Sequence, residues 1–216
     1  WMFKKASESY LFKDKKIAKI PLLIDKKFWS PTDYKISKKN LGLDENKVTI
    51  CFGAENFVKN KRKGFNYFKE AIEKISDKKP FQIILFGSDE NINIINSSVK
   101  IINLGKINDE EIIRKIFSAS DIVVMPSTIE AFGQVVYEAL HCGAPCVIFK
   151  NTAMVDFIKH KSNGFVCENS PDGLKNGIEW CIDNNENFIR EKISTNIKNV
   201  YDSNKILNKY LSFLSI

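Results

Sequence analysis

The sequence predicts an α/β fold, a Rossmann-like doubly wound parallel sheet. Short, continuous apolar runs such as residues 81–86 alternate along the chain with segments whose apolar residues recur at helical spacing. The apolar runs are typical of strands that are buried on both faces of a parallel sheet. Strands that alternate with helices predict a sheet covered by helices on both sides. No run approaches the roughly 18 apolar residues that would be needed to cross a bilayer.

The predicted elements begin after residue 47. Strands are predicted at residues 48–52, 81–86, 99–103, 122–125, 146–149 and around 165–166. Helices are predicted at residues 65–75, 109–119, 134–142, 155–160 and 171–182, and two further helical segments lead to Leu214. The helix at 65–75 has apolar residues at helical spacing, and the helix at 109–119 has acids in its first turn, where the helix dipole favours them.

The positive charge of the chain is concentrated at one end. Residues 1–40 contain eleven Lys and four acids, whereas residues 41–216 contain 22 basic and 22 acidic side chains. We therefore predict a basic interdomain linker or arm over residues 1–40 and a neutral Rossmann-like domain over residues 41–216. The arm is expected to face an anionic membrane surface or an acidic partner, or to be a solvated connector. No recognition motif accompanies the charge, so we predict no nucleic-acid partner.

The cysteines and several missing motifs narrow the function. The five cysteines form no Cys-x-x-Cys pair, which indicates reduced thiols in the cytoplasm and neither a disulfide framework nor a zinc site. No G-x-G-x-x-G follows a strand, which disfavours a dinucleotide dehydrogenase, and no G-x-x-x-x-G-K-[ST] is present. The sequence also has no Asp-x-Asp pair, so we predict no metal and no cofactor.

The loop after residues 122–125 carries the most informative chemistry. Glu130 lies in this loop, a helix is expected to begin near Gly133, and Glu138 follows on its second turn. The free N–H groups of Phe132, Gly133 and Gln134 can bind phosphate or sugar oxygens, while carboxylates accept hydrogen bonds from hydroxyls. The pattern fits a phosphorylated, polyhydroxylated ligand. Taken alone, it fits equally well a loop acid and a solvated helix face.

A basic cluster precedes the helix at residues 65–75. Lys61, Arg62 and Lys63 are followed by Gly64, in a loop that should lie at the same sheet edge as Glu130. Such a cluster can neutralise a diphosphate. A solvated basic loop is the alternative interpretation.

These segments, taken together, resemble the family 4 retaining glycosyltransferases of the GT-B type, which have two Rossmann-like halves. The resemblance extends over essentially the whole chain and is closest to bacterial members that build surface or capsular polysaccharide. It rests on the E-x₇-E motif Glu130 to Glu138, the R-K-G-F segment 62–65, the loop 104–107, the segment 120–127, the strand start 143–147, the turn 163–165 and the linker-like segment 20–31.

The resemblance implies a donor-binding domain for a UDP- or GDP-linked sugar, with Glu130 as the catalytic residue. Lys63 and Arg62 would hold the diphosphate. Glu130 and the amides of Phe132 and Gly133, next to Gln134, would hold the sugar. Glu138 would bind the ribose, and the segment around Gly105 and Ile107 would meet the base. A glycan or lipid-linked acceptor would be held by a missing N-terminal domain, at the inner face of a membrane, so that the fragment alone is expected to be inactive.

Two positions depart from the family pattern. Many members carry an Arg directly after the first-strand glycine, where this chain has Ala54, and Arg62 is expected to take its place. The common Gly-Gly after residues 146–149 is replaced by Asn151, Thr152 and Ala153. Two alternatives stay open: a non-catalytic Rossmann-like module that docks through its basic arm, and a sugar-nucleotide epimerase of the same architecture.

Overall fold

The computed structural model describes residues 2–75, 80–90, 92, 94 and 99–214 of the chain. The strands are β1 (Val48–Gly53), β2 (Phe81–Phe86), β3 (Lys100–Asn103), β4 (Ile122–Met125), β5 (Cys146–Phe149) and β6 (Gly164–Cys167). The helices are α1 (Met2–Ser7), α2 (Tyr34–Asn40), α3 (Phe65–Lys74), α4 (Glu110–Ala119), α5 (Gln134–His141), α6 (Pro171–Asp183), α7 (Arg190–Val200) and α8 (Ser203–Leu214). Short 3₁₀ turns lie at Tyr10–Phe12, Lys61–Lys63, Ala153–Asp156 and Asn185–Asn187.

The strands form one parallel sheet in the order β3-β2-β1-β4-β5-β6, which confirms the predicted fold class. The central strands β2, β4 and β5 are buried along their whole length, which explains why they read as continuous apolar runs. Helix α3 packs against α6, while α4 contacts α2 and α5, and α5 contacts α7. The strand order reverses between β1 and β4. In sheets of this kind, ligands bind beyond the carboxyl ends of the strands at such a reversal.

One predicted helix is wrong. Residues 155–160 were expected to be helical, but the structure has a 3₁₀ turn at Ala153–Asp156 and no helix at 157–160. The side chain of Asn163 provides the physical reason, because its amide donates to the carbonyl of Phe157 (3.0 Å) and accepts from the N–H of Lys159 (2.7 Å). Local side-chain bonds of this type compete with the helical ladder.

The compact domain reaches further back than residue 40. Trp29 is buried in the core and its ring lies 6.2 Å from that of Phe117, and the ammonium of Lys38 is fully buried. The N–H of Thr32 also donates to the hydroxyl of Ser118 at 3.0 Å. The sequence around Trp29 to Asn40 therefore belongs to the packed domain. The linker role of the preceding residues, and their contact with an anionic membrane, stay predictions of the sequence.

A buried polar network closes the amino-terminal edge of the sheet, opposite the carboxyl ends of the strands. Asp121, directly before β4, accepts from the ammonium of Lys38 at 3.1 Å, the hydroxyl of Tyr34 at 2.8 Å and the N–H of Thr49 at 2.8 Å. Arg190 approaches the same carboxylate at 3.4 Å. The network ties α2, β1, β4 and α7 together, so Asp121 is placed as a structural residue.

Two absences concern only the part of the chain that the structure describes. There, no helix combines the length and the apolar composition that a bilayer crossing requires. Among the same residues, no group of three or more His, Cys, Asp or Glu side chains is arranged to hold a metal ion.

All five cysteines are buried free thiols. His141 is also buried, and burial lowers its pKa to about 4, so it is a neutral part of the core at neutral pH.

Candidate functional site

A cleft of about 910 Å³ lies beyond the carboxyl ends of β1 and β4, where the strand order reverses. The loops after both strands and the start of α5 form its walls. Most of the residues predicted from sequence as a donor site line this one cleft, namely Arg62, Lys63, Ile107, Glu130, Gly133, Gln134 and Glu138. The fold therefore brings together side chains from three separate segments of the chain.

The mouth of α5 is shaped by Gly133. This residue has φ 91° and ψ 56°, a left-handed conformation that glycine adopts without strain. A Cβ at this position would lie only 2.3 Å from Cγ of Met154, so the turn also requires a residue without a side chain. The first helical bond runs from the N–H of Tyr137 to the carbonyl of Gly133. The preceding N–H groups have no partner within the helix and are available to a ligand at its N-terminus.

A backbone hydrogen bond joins the loop that contains Lys63 to the loop that contains Glu130. Lys63 ends a 3₁₀ turn, and Gly64 follows in a left-handed conformation with φ 75°. The N–H of Thr128 donates to the carbonyl of Arg62 at 2.9 Å. These contacts hold the ammonium of Lys63 at 3.0 Å from Oε2 of Glu130. The cation and the acid predicted to grip the donor are therefore adjacent in the structure.

Glu138 lies on the wall of the cleft and is only 8% exposed. Its pKa is raised to about 7, chiefly by burial, against a lowering by the hydrogen bond from Gln134 and with a smaller upward contribution from the nearby charge of Glu110. That bond runs from Nε2 of Gln134 to Oε1 of Glu138 at 2.7 Å. A carboxyl group with a pKa near neutrality, held in a cleft, is a frequent property of binding and catalytic sites.

Two predicted site residues do not line the cleft. The ring of Phe132 packs within 5.2 Å of Tyr137 and 5.0 Å of Phe157, so any contact with a ligand would come from its backbone. The carbonyl of Gly105 accepts from the N–H of Gly87 at 2.7 Å, and this bond joins the loops after β2 and β3. Gly105 thus shapes the loop that presents Ile107 to the cleft.

Sequence reasoning missed other cleft residues. Trp29 comes from the segment predicted to be a linker, and Glu110 comes from the first turn of α4, where the sequence predicts only an acid that complements the helix dipole. Asn60 and Asn108 also line the cleft. Asn60 and Asn108 could have been found from their position, because both lie in loops that follow strands. Nothing in the sequence distinguishes Trp29 from an ordinary core aromatic residue.

The charges around the cleft are balanced and not strongly positive. Its lining includes three cations and four acids: Arg62, Lys63 and Lys106, and Glu55, Glu110, Glu130 and Glu138. A simple anion would gain little binding free energy here, because repulsion by the acids offsets attraction by the cations. A ligand that presents negative oxygens to the cations and hydroxyls to the carboxylates would satisfy both.

Comparison with known proteins defines the class to which this fold and cleft belong. Residues 33–200 match the family described as glycosyl transferases, group 1. The match covers most of the chain, so the protein belongs to this family of transferases. The fold and the match together define a GT-B glycosyltransferase domain of the carboxyl-terminal type.

Two relatives are similar in sequence. An uncharacterized glycosyltransferase of Methanocaldococcus jannaschii is 27% identical over 175 residues, which cover 76% of this chain and 43% of that protein. The N-acetyl-alpha-D-glucosaminyl L-malate synthase of Bacillus anthracis is 27% identical over 162 residues, 72% of this chain and 41% of the enzyme. The chain thus spans less than half the length of these relatives.

Solved structures share the fold. The Anabaena protein HepE in complex with UDP and glucose superposes with a TM-score of 0.71 at 22% identity, covering 91% of this chain and 56% of that one. The C-terminal domain of a glycosyl transferase group 1 family protein, LpcC of Francisella tularensis, has a TM-score of 0.64 at 21% identity. It matches 87% of this chain and 98% of its own length, so the two are equivalent folding units.

Proposed function

We propose that this domain binds the nucleotide diphosphate sugar of a family 4 retaining glycosyltransferase. The observation that carries the proposal is the shared cleft, in which Lys63, Glu130, the mouth of α5 at Gly133 and Glu138 face one space at the switch point of the sheet. Membership of a transferase family favours transfer over epimerisation and over a purely docking role. The UDP complex of HepE, a protein of the same fold, supports a nucleotide as the ligand.

The cleft offers a partner for each part of such a donor. Lys63, Arg62 and the free N–H groups near Gly133 would hold the diphosphate, because cations and helix N-termini both favour phosphate oxygens. Glu130, the residue we propose as catalytic, would accept hydroxyl bonds from the sugar. Glu138 would accept them from the ribose, and the backbone near Ile107 would meet the base. During transfer with retention, the same cations would stabilise the leaving diphosphate.

The acceptor would be a glycan or a lipid-linked sugar held by a second domain. The length of the relatives supports a larger enzyme, since the chain spans 41–43% of them. The domain alone is therefore proposed to bind donor and not to transfer sugar. The nucleotide of the donor would be UDP or GDP, and the ligand experiment below distinguishes the two.

The first test is stabilisation of the domain by ligand. We expect UDP-glucose or GDP-mannose at millimolar concentration to raise the Tm, because a ligand that binds only the folded state stabilises it. Lys63→Met and Glu138→Gln should each reduce the shift by at least half, whereas Asp172→Asn, outside the cleft, should leave it unchanged. A folded wild-type domain whose Tm responds to neither ligand would contradict the proposal.

A second prediction follows from the pKa of Glu138, which burial raises to about 7. Ribose hydroxyls donate to the ionised carboxylate, so donor binding should lower this pKa and expel about half a proton at pH 7. Affinity should therefore rise with pH between about 6 and 8. Calorimetric titrations of the nucleotide-sugar in buffers of different ionisation enthalpy measure the proton directly.

The control for this proton is Glu138→Gln, which keeps the shape of the side chain and has no ionisation near neutrality. Proton release should vanish in the variant while some binding remains. Equal proton release in the wild type and the variant would exclude Glu138 as the titrating group in contact with the ribose.

A further inference from the structure

The ammonium of Lys63 already has an anionic partner in the ligand-free cleft. It lies 3.0 Å from Oε2 of Glu130, and the two side chains are 24% and 20% exposed. Such a partly buried pair is screened less by solvent and salt than a surface pair. The hydrogen bond between Thr128 and Arg62 joins the two loops, so the pair does not depend on chance contact of two mobile side chains.

The carboxylate of Glu130 also stands close to the mouth of α5. Its Cγ lies 3.6 Å from the point where a Cβ on Gly133 would be. Its backbone is fixed, because the carbonyl of Glu130 accepts from the N–H of Ala153 at 3.1 Å. A negative group beside a cation and a helix N-terminus occupies the place that an anionic ligand would favour. A phosphate that enters here must share Lys63 with Glu130 or displace the carboxylate of Glu130 from Lys63.

We infer that Glu130 is a specificity-determining residue that makes the cleft favour a sugar-bearing diphosphate over the bare nucleoside diphosphate. This inference rests on the proposed function. The sugar of a complete donor offers hydroxyls to the carboxylate, which compensates Glu130 when phosphate takes over Lys63. A bare nucleoside diphosphate offers no hydroxyl there and adds negative charge, because its terminal phosphate ionises with a pKa of about 6.

The balance of charges in the cleft supports the same conclusion. With four acids facing three cations, the site has no excess of positive charge to overcome repulsion between Glu130 and a terminal phosphate. The bare nucleoside diphosphate is also what remains after sugar transfer. Glu130 would then favour release of this product, because it has lost the sugar hydroxyls and competes with the diphosphate for Lys63.

The test compares two affinities in each variant. Calorimetry gives the Kd values of UDP and UDP-glucose, or of GDP and GDP-mannose if the guanine pair binds, at pH 7.5. In Glu130→Gln we expect the bare diphosphate to bind about threefold tighter or more, and the nucleotide-sugar to bind no tighter than in the wild type. The preference for the sugar-bearing ligand should therefore fall at least threefold.

Two further variants separate the possible outcomes. Lys63→Met should weaken both ligands, and Asp172→Asn, which breaks a Lys74–Asp172 pair of 2.8 Å outside the cleft, should change neither affinity. If Glu130→Gln weakens both ligands equally, the inference is overturned while the proposed function stands. If the folded wild-type domain binds none of the four nucleotides, the proposed function fails and the inference with it.

Discussion

Replacing Asp121 with Asn is expected to lower the free energy of unfolding by about 3–5 kcal/mol, since the change leaves a buried charge without its partner. The ammonium of Lys38 has no exposed surface and lies 3.1 Å from the carboxylate. Its other bond, to the carbonyl of Lys47 at 2.7 Å, does not neutralise the charge. The Asn side chain has one acceptor oxygen instead of two, so it would also lose the hydrogen bond from the hydroxyl of Tyr34 or the one from the N–H of Thr49.

Denaturant unfolding of the wild type and the variant measures this loss. Asp172→Asn is the matched control, because it removes the same charge from a Lys–Asp pair of 2.8 Å whose side chains are 48% and 73% exposed. Exposed pairs contribute at most about 1 kcal/mol. Equal losses in the two variants would show that burial of the Lys38 pair has no special weight.

Gly64→Ala is expected to cost about 2–5 kcal/mol and to displace Lys63 from the cleft. The residue has φ 75°, a conformation that disfavours any side chain by about 1–2 kcal/mol. A Cβ would also lie 1.9 Å from the carbonyl oxygen of Pro126, a backbone atom that cannot move away on its own. The loop after β4 or the start of α3 must shift, which adds the energy of overpacking.

Gly42→Ala separates the two contributions to this loss. Gly42 has φ 65°, but a Cβ there would have no other atom within 4 Å. The Gly42 variant should therefore lose only about 1–2 kcal/mol, the conformational part. Chemical denaturation of both variants gives the difference. If Gly42→Ala and Gly64→Ala lose the same stability, the close approach of the two loops at Pro126 does not hold.

Much of the fold could be predicted because local pattern and tertiary role agree. The strand 122–125 is apolar throughout since both of its faces are covered, and the predicted helix 109–119 begins where Asp109 caps α4. The helix at 155–160 could not be predicted correctly, because the competing partner, Asn163, acts through its side chain. The burial of Trp29 and Lys38 depends on contacts with Phe117 and Asp121, which lie 88 and 83 positions later in the chain.

The sequence predicts which loops form the site, but it does not predict the distances between their side chains. Parallel strands place their carboxyl ends at one edge, which brings the loops of Lys63 and Glu130 to the same side of the sheet. The strands β1 and β4 are neighbours in the sheet, but this strand order cannot be read from the sequence. The ion pair across 67 residues and the pKa of Glu138 both depend on this adjacency and on burial.

The proposed function depends most directly on where a nucleotide binds. The measurement is a crystal structure of the domain with the nucleoside diphosphate or nucleotide-sugar that raises its Tm. We predict phosphate oxygens at hydrogen-bond distance from Nζ of Lys63 and from the N–H groups at Gly133, with ribose hydroxyls on Glu138. A nucleotide bound elsewhere, such as the groove between residues 156–163 and 187–201, with the cleft at Gly133 empty, would contradict it.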